Sequence, residues 1–415
     1  MSASHRYLEM DALRGFAVMG ILAINIAAFA QPEMAFVNPL VSSHSSGADL
    51  ASWAANFILF DGKMRGLFSL LFGASTALVI ERAIASGQSA AKVHFSRMFW
   101  LGLFGLAHFF FIWIGDILFL YAACGCVLFL FRDWSAERLF KWGIIAYAIG
   151  AILLITGLGP MLMLAQEAAQ ANASPEALDR VAEIYAELGT LPADVAAETA
   201  RIQGGFSALL QYKISEQRSV PLENLMLGPI ETIPLMMIGM GLYKNGFILG
   251  QESRATYMKI GSRMMAVSLP FFIAFAAIAY AQDFNTIWMM NITQAWSVLP
   301  RLMMIIGYVA LLILVVQRFQ NSSAIQRVAA AGRAAFSNYL GTSILMTFIF
   351  YGWGLGYFER FGRFELQLFV LGAWVLMLLW SQPWLTRFRY GPLEWLWRSL
   401  AKGQAQPMRI GSGAS

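Results

Sequence analysis

Apolar residues fall in runs of about 20 separated by short polar segments, a spacing that predicts membrane-spanning helices rather than the two-residue alternation of strands. Read against their flanking charges, these runs predict ten spans, near 14–31, 63–81, 97–115, 117–131, 142–165, 226–248, 263–282, 296–316, 334–353 and 365–385. The expected fold class is all-α, a polytopic transmembrane helix bundle. Every second connection is basic, with Arg82 and Lys92, Arg132 and Lys141, Arg254 and Lys259, Arg318 and Arg327, then Arg387 and Arg398. That asymmetry places both termini in the cytoplasm. Gly115 and Asp116 alone join the third and fourth spans, so the two should form a tight hairpin with its tip outside.

The segment 166–225 differs in kind. It is rich in Ala and Glu, and Ser174-Pro175 and Leu191-Pro192 mark helix starts, so it reads as an external cap of amphipathic helices. The expected organisation is an N-terminal bundle (1–165), the cap (166–225), a C-terminal transmembrane domain (226–402) and a disordered cytoplasmic tail (403–415). The first apolar run ends in Ala28-Phe29-Ala30, a small-x-small pattern like a signal-peptide cleavage site. Glu9 and Asp11 flank its start and the run is long enough to span, so it reads as a retained helix.

Composition agrees. Of 415 residues, 58% are hydrophobic and 13% charged, and the mean hydropathy is +0.60, more apolar surface than a soluble core of this size buries. The formal charge of +5 sits in clusters between apolar runs rather than along one face, which reports topology and argues against a nucleic-acid partner. Cys124 and Cys126 lie within one apolar run and read as packing residues, and no metal site is expected.

Against this background the intramembrane polar residues stand out. Asn25, Arg65, His108, Glu231 and Arg301 each lie inside an apolar span, where such groups are costly unless partnered and often mark function. By helical rise Asn25, His108, Glu231 and Arg301 share a layer roughly 7 to 12 Å below the outer surface, with Lys63 and Arg65 entering the second span on the same side. The near-neutral unperturbed pKa of histidine suits His108 to take a proton as a general base. Asp116 lies ~12 Å along a continued helix, too far to orient it, which favours Glu231 as its partner; alternatively, His108 simply bonds a neighbouring helix. At the cytoplasmic end, Asp11 and Arg14 share a helical face, and Arg97, Arg333 and Asn338 stand at the feet of other spans. Guanidinium groups such as Arg14 and Arg333 can receive phosphates, and positive-inside anchoring explains them equally well.

Five stretches carry a resemblance. MDALRGFAVMGILAINI (10–26), GKMRGLFSLLFGAS (62–75) and GLAHFFFIWIGDILFLYA (105–122) are similar to the N-terminal half of the YeiB family of bacterial membrane proteins. GRAAFSNYLGTSIL (332–345) and RYGPLEWLWRSL (389–400) resemble its C-terminal domain of unknown function. The opening D-x-x-R-G followed by Asn25 also resembles the first helix of the heparan-α-glucosaminide N-acetyltransferase family, within a wider transmembrane acyltransferase superfamily. That resemblance implies a site asparagine at Asn25 and an acyl-CoA co-substrate supplied from the cytoplasm to acylate a sugar on the far side. The catalytic histidine of those enzymes would fall near Phe36, so His44 or His108 must replace it, and the depth argument favours His108.

The leading expectation is thus an inner-membrane acyltransferase. His108 is its general base, partnered by Glu231, with Asn25 and Arg301 stabilising the oxyanion. Asp11, Arg14, Arg333 and Asn338 form the acyl-CoA site, and Lys63, Arg65 and Asp116 the site of a small-molecule or glycan acceptor. Membrane lipids and a second copy of the chain are the other expected partners. The competing readings are a transporter using the polar layer for substrate or protons, against which the sequence offers no inverted repeat or matched broken helices, and a structural or signalling membrane protein.

Overall fold

Over residues 7–410, which this computed structural model describes, the apolar runs all become helix. In chain order they are α1 (Leu8–Ala30), α2 (Gly47–Leu59), α3 (Lys63–Ala85), α4 (Ala90–Phe111), α5 (Leu118–Leu128), α6 (Ala136–Ala168), α7 (Pro175–Glu187), α8 (Pro192–Ile202) and α9 (Phe206–Ser215). There follow α10 (Val220–Lys244), α11 (Arg254–Ala281), α12 (Thr286–Met290), α13 (Val298–Arg318), α14 (Ser323–Arg333), α15 (Ala335–Phe350), α16 (Arg363–Arg387) and α17 (Pro392–Lys402).

Every expected span falls on a helix. Among the described residues seven helical stretches are long and apolar enough to cross a bilayer: α1, α2 with α3, α6, α10, α11, α13 and α16. Leu118–Phe131 and Ala335–Phe350 are shorter apolar helices, and α4, interrupted by His94, Arg97 and His108, is not among the seven. The span expected at 334–353 is the second half of a broken helix. Its first half, α14, stops at Ala334 (φ −104°, ψ 29°), and α15 resumes at once. The hairpin joint is longer than Gly115-Asp116, because α4 ends at Phe111 and α5 begins at Leu118.

Glycine allows the closest crossings. A Cβ on Gly15 would land on the Val328 carbonyl, and one on Gly332 on the Asp11 carbonyl, so α1 and α14 touch backbone to backbone. Gly73 and Gly239 do the same for α3 and α10. The main core runs from Met10 on α1 through Leu70, Tyr121, Met236 and Ile305 to Leu340 on α15, so the stretches 1–165 and 226–402 share one interior.

At ~1.5 Å per residue, the 33-residue α6 is ~50 Å long, more than a ~30 Å hydrocarbon layer needs. Its excess carries α7, and α7 to α9 form the cap. Cap helices tie back to the bundle through Gln203 Nε2 to the Phe358 carbonyl (3.2 Å), the Glu33 amide to Glu198 Oε1 (2.9 Å) and Lys213 Nζ to the Phe109 carbonyl near the end of α4 (3.0 Å). The expected loose tail is partly ordered. Phe388 pairs with Arg409 as an isolated bridge, and Trp395 Nε1 donates to the Gln406 carbonyl. The tail's last residues, 411–415, lie outside the described part.

Two outcomes follow from this packing. Gly332→Ala should lower stability by about 1–3 kcal/mol through overpacking at the α1–α14 crossing, read by thermal unfolding in detergent. In the cap, burial pushes the Glu198 carboxyl up to about 7, and neighbouring Glu33 and Glu359 add to the shift. An acid raised in the folded state binds more protons folded than unfolded between pH 4.5 and about 7, so docking of α8 should weaken as pH rises through that window. Rate-corrected hydrogen exchange of 192–202 at pH 5 and pH 8 should show this, and Glu198→Gln should flatten it.

Candidate functional site

One face of α3 carries Arg82, Val79, Ser75, Phe72 and Phe68, which line a cavity of about 370 Å³ at the basic end of the bundle. On α4 the lining residues are His94, Arg97, Met98 and Leu101, and on α1 they are Asp11, Arg14 and Ile21. Helical periodicity continues each row away from the basic end: Arg65 comes next on α3, Gly105 and then His108 on α4, and Asn25 on α1. None of Arg65, His108 and Asn25 lines the cavity itself, although Tyr339, which packs on the His108 ring, does.

At its mouth stand six arginines, Arg14, Arg82, Arg97, Arg333, Arg389 and Arg398, facing two acids, Asp11 and Glu394. Arg14 bonds Asp11 (3.1 Å), as their spacing predicts, and also donates to Ser75 Oγ (2.9 Å). The surplus of positive charge suits a polyanion. Positive-inside counting treats Arg82, Arg97, Arg389 and Arg398 as topology markers, and only folding shows that they share a cavity. The RYGPLEWLWRSL stretch carried the signal that locates them. Within it, Trp397 lies under the Arg97 guanidinium (4.1 Å) and bonds its carbonyl (2.9 Å). Glu394 caps α15 by accepting from the Phe336 and Ser337 amides (2.8 and 3.0 Å) and from Ser337 Oγ (2.6 Å). Burial there pushes the Glu394 carboxyl above its usual range.

His108 has a different partner from the one expected. Its Nδ1 stands 2.9 Å from Asp116 Oδ1, with both side chains buried. The ~12 Å separation assumed a continued helix, whereas the 112–117 turn folds Asp116 back beside α4. Gly105 makes this possible, since a Cβ there would collide with the Phe119 amide and crowd Asp116 Oδ2. That second oxygen accepts from the Phe119 amide (2.8 Å). A carboxylate partner accepts from Nδ1–H, and in the neutral imidazole that leaves Nε2 as the ring's acceptor. Nε2 is buried and has no hydrogen-bond partner. Tyr339, a cavity-lining residue, packs 5.3 Å from the His108 ring centre, and its hydroxyl donates to the Gly115 carbonyl (3.2 Å).

Glu231 belongs to a second cluster. Arg301 Nη1 reaches both its oxygens (2.7 and 2.9 Å), Arg65 Nη2 one (2.9 Å), and the Tyr147 hydroxyl the other (2.8 Å). Arg301 Nη2 donates to the Thr293 carbonyl, within a π-helical turn at Asn291–Trp296. Gly62, at φ +67°, lies against the guanidinium where any Cβ would clash. Lys63 is buried over the Phe272 ring (3.3 Å) and bonds the Phe57 carbonyl. The single expected polar layer is thus two clusters, because residues at one depth are separated by their angular positions around the bundle. Tyr121 bridges toward both by bonding Ser69 Oγ (2.6 Å) and the Arg65 carbonyl (3.2 Å) while lining the cavity.

Two other expectations change. Asn338 is absent from the cavity wall, with its amide held by the Ala331 carbonyl, Ser381 Oγ and Trp380 Nε1. It braces the break between α14 and α15. His44 Nε2 rests on the Glu359 carbonyl (3.2 Å) in an outer loop, away from this cavity. Asn25 is half-buried within α1, and among the described residues no hydrogen bond of its side-chain amide is found.

A family model described as a protein of unknown function, DUF418, matches residues 242–404. YeiB of Escherichia coli K12, an uncharacterized protein, is 31% identical over 404 residues, covering 97% of this chain and 98% of its own length. YxaH of Bacillus subtilis 168, also uncharacterized, is 29% identical over 413 residues, covering 96% and 95%. No solved structure matches. Similarity of this extent to YeiB, end to end, together with the DUF418 match over the C-terminal bundle and α17, makes the chain a member of the YeiB family.

Proposed function

We propose that the protein is an acyltransferase of the bacterial inner membrane with both termini in the cytoplasm. It moves an acyl group from cytoplasmic acyl-CoA to a hydroxyl or amine of a sugar or other envelope acceptor. The observation that carries this reading is the His108–Asp116 pair, with its unused Nε2, on the helical face that continues an arginine-mouthed cavity. The arginines receive the donor's phosphates, and the aromatic wall of Phe68, Phe72 and Tyr121 suits its less polar arm. The volume of about 370 Å³ is within the range of small-molecule sites.

His108 Nε2 takes the acceptor's proton while Asp116 holds the ring and stabilises the imidazolium. Asn25, on the same continuation of the cavity, has an uncommitted amide for the developing oxyanion. Both Arg301 amino groups are committed to Glu231 and Thr293, so Arg301 supports Arg65 and Glu231 rather than the oxyanion. Arg65, which keeps a side-chain exposure of 45%, is the better placed acceptor contact.

Transport is the second reading, favoured by the break between α14 and α15 beside the cavity, where Arg333 and Phe336 line the wall. Release of CoA thiol from acetyl-CoA by purified protein separates the two. Acyl transfer predicts acceptor-dependent release that His108→Ala lowers by about 10²–10⁴-fold, and a folded but slow Asp116→Asn. Donor uptake into vesicles without any thiol release would establish transport instead. On the donor side, Arg14→Gln or Arg333→Gln should raise KM for acyl-CoA about tenfold with little change in kcat, as loss of one charged hydrogen bond requires.

A further inference from the structure

Beside His108 lies a second buried polar atom with nothing to bond. The Trp113 indole is 3% exposed, and its Nε1 has no acceptor. Leaving such a donor unmatched in the interior is costly, and a phenylalanine of similar shape would avoid that cost. The ring is nonetheless held firmly. It stacks on Phe29 of α1 with centroids 4.0 Å apart. Gly115 lies against its benzo edge, where a Cβ would collide, and its backbone amide donates to the His108 carbonyl (2.8 Å). The His108 and Trp113 rings stand nearly perpendicular, 72° apart, with centroids separated by 6.2 Å.

The two unmatched atoms are chemically complementary. Indole N–H only donates, and in the neutral imidazole whose Nδ1–H faces Asp116, His108 Nε2 accepts. One substrate group meeting both must present a proton to His108 and an oxygen to Trp113. A thioester carbonyl under attack by a hydroxyl or amine has that composition. Trp113 also belongs to the packed cluster that contains Ile202 and Leu209 of the cap.

We propose that Trp113 is a catalytic residue whose indole N–H binds the carbonyl oxygen of the acyl donor as that oxygen becomes an oxyanion. The inference rests on the acyl-transfer reading above. In the step it serves, the acceptor's lone pair forms a bond to the carbonyl carbon and the acceptor's proton passes to His108 Nε2. The carbonyl π pair moves onto the oxygen that Trp113 holds. Collapse of the adduct restores the carbonyl, breaks the carbon–sulfur bond and returns the proton from His108 to the departing thiolate. An oxyanion donor acts only once charge develops, so its loss lowers kcat more than it raises KM.

The test is acceptor-dependent thiol release from acetyl-CoA by wild type, Trp113→Phe, His108→Ala and the double variant. Trp113→Phe keeps the ring packing and deletes the N–H. It should lower kcat about 10²–10³-fold, as removal of one oxyanion donor does elsewhere, with KM for acetyl-CoA nearly unchanged. The double variant should be no slower than His108→Ala, because residues acting as a unit are non-additive. A second measurement needs only the wild-type fold. With ¹⁵N-indole-labelled protein, a ketone isostere of acetyl-CoA should move the Trp113 indole proton downfield. Wild-type release that Trp113→Phe retains within about twofold, or an indole signal that the ketone leaves unmoved, overturns the role of Trp113 alone. No release by wild type overturns the acyl-transfer reading and this role with it.

Discussion

An ionised side chain inside an apolar bundle is tolerated only when its partner lies within hydrogen-bonding reach, and breaking such a pair costs several kcal/mol. Much of this architecture answers that requirement. Glu231 on α10 draws Arg65 from α3, Arg301 from α13 and Tyr147 from α6, so one carboxylate fixes the relative depth of four helices. Arg301 adds the Thr293 carbonyl, and the π-helical turn there presents it. Lys63, with no carboxylate bonded to it, is satisfied by a carbonyl and an aromatic face.

The other buried pair, His108 with Asp116, depends on chain reversal rather than on convergence of distant helices. A turn that brings residue 116 back to residue 108 needs the backbone of α5 to approach α4 closely, and Gly105 supplies the room. Gly115 makes space for the Trp113 ring in the same turn. The cap reaches this region from outside it, since Lys213 bonds the carbonyl of Phe109, the residue after His108. One buried lysine thus ties the cap to the end of the helix that carries the histidine, beside the packing of Leu209 and Ile202 in the cluster of Trp113.

At the basic end the problem is reversed. Six arginines gather where two acids face them, and α17 closes the mouth by placing Glu394 on the first amides of α15 and Trp397 beneath Arg97. An amphipathic helix on the surface thus holds a cavity wall in place, and the break at Ala334 puts free amides where that carboxylate can use them. Charge surplus at one end, an imidazole with a free nitrogen further in and a polar cap at the other end give the molecule a direction.

The sequence by itself determined the helical class, the membrane environment, the positions of the ten expected spans and the cap helices, though not α2, because these depend on the length of apolar runs and on local turn chemistry. It also singled out His108, Asn25, Arg65, Glu231 and Arg301, since polar residues in apolar spans are conspicuous without any contact map. Depth along a helix was legible because rise per residue is constant; direction around the bundle was not. For that reason Glu231 was paired with His108 when it belongs with Arg301, and Asn338 was given a ligand when it braces α16. Asp116 was given to the acceptor rather than to His108 because a continued helix was assumed across residues 112–117. Only the tertiary structure decided which partners meet, gathered the scattered arginines into one mouth and left Trp113 unpaired beside His108, because those outcomes depend on how helices rotate and where close packing lets the chain reverse.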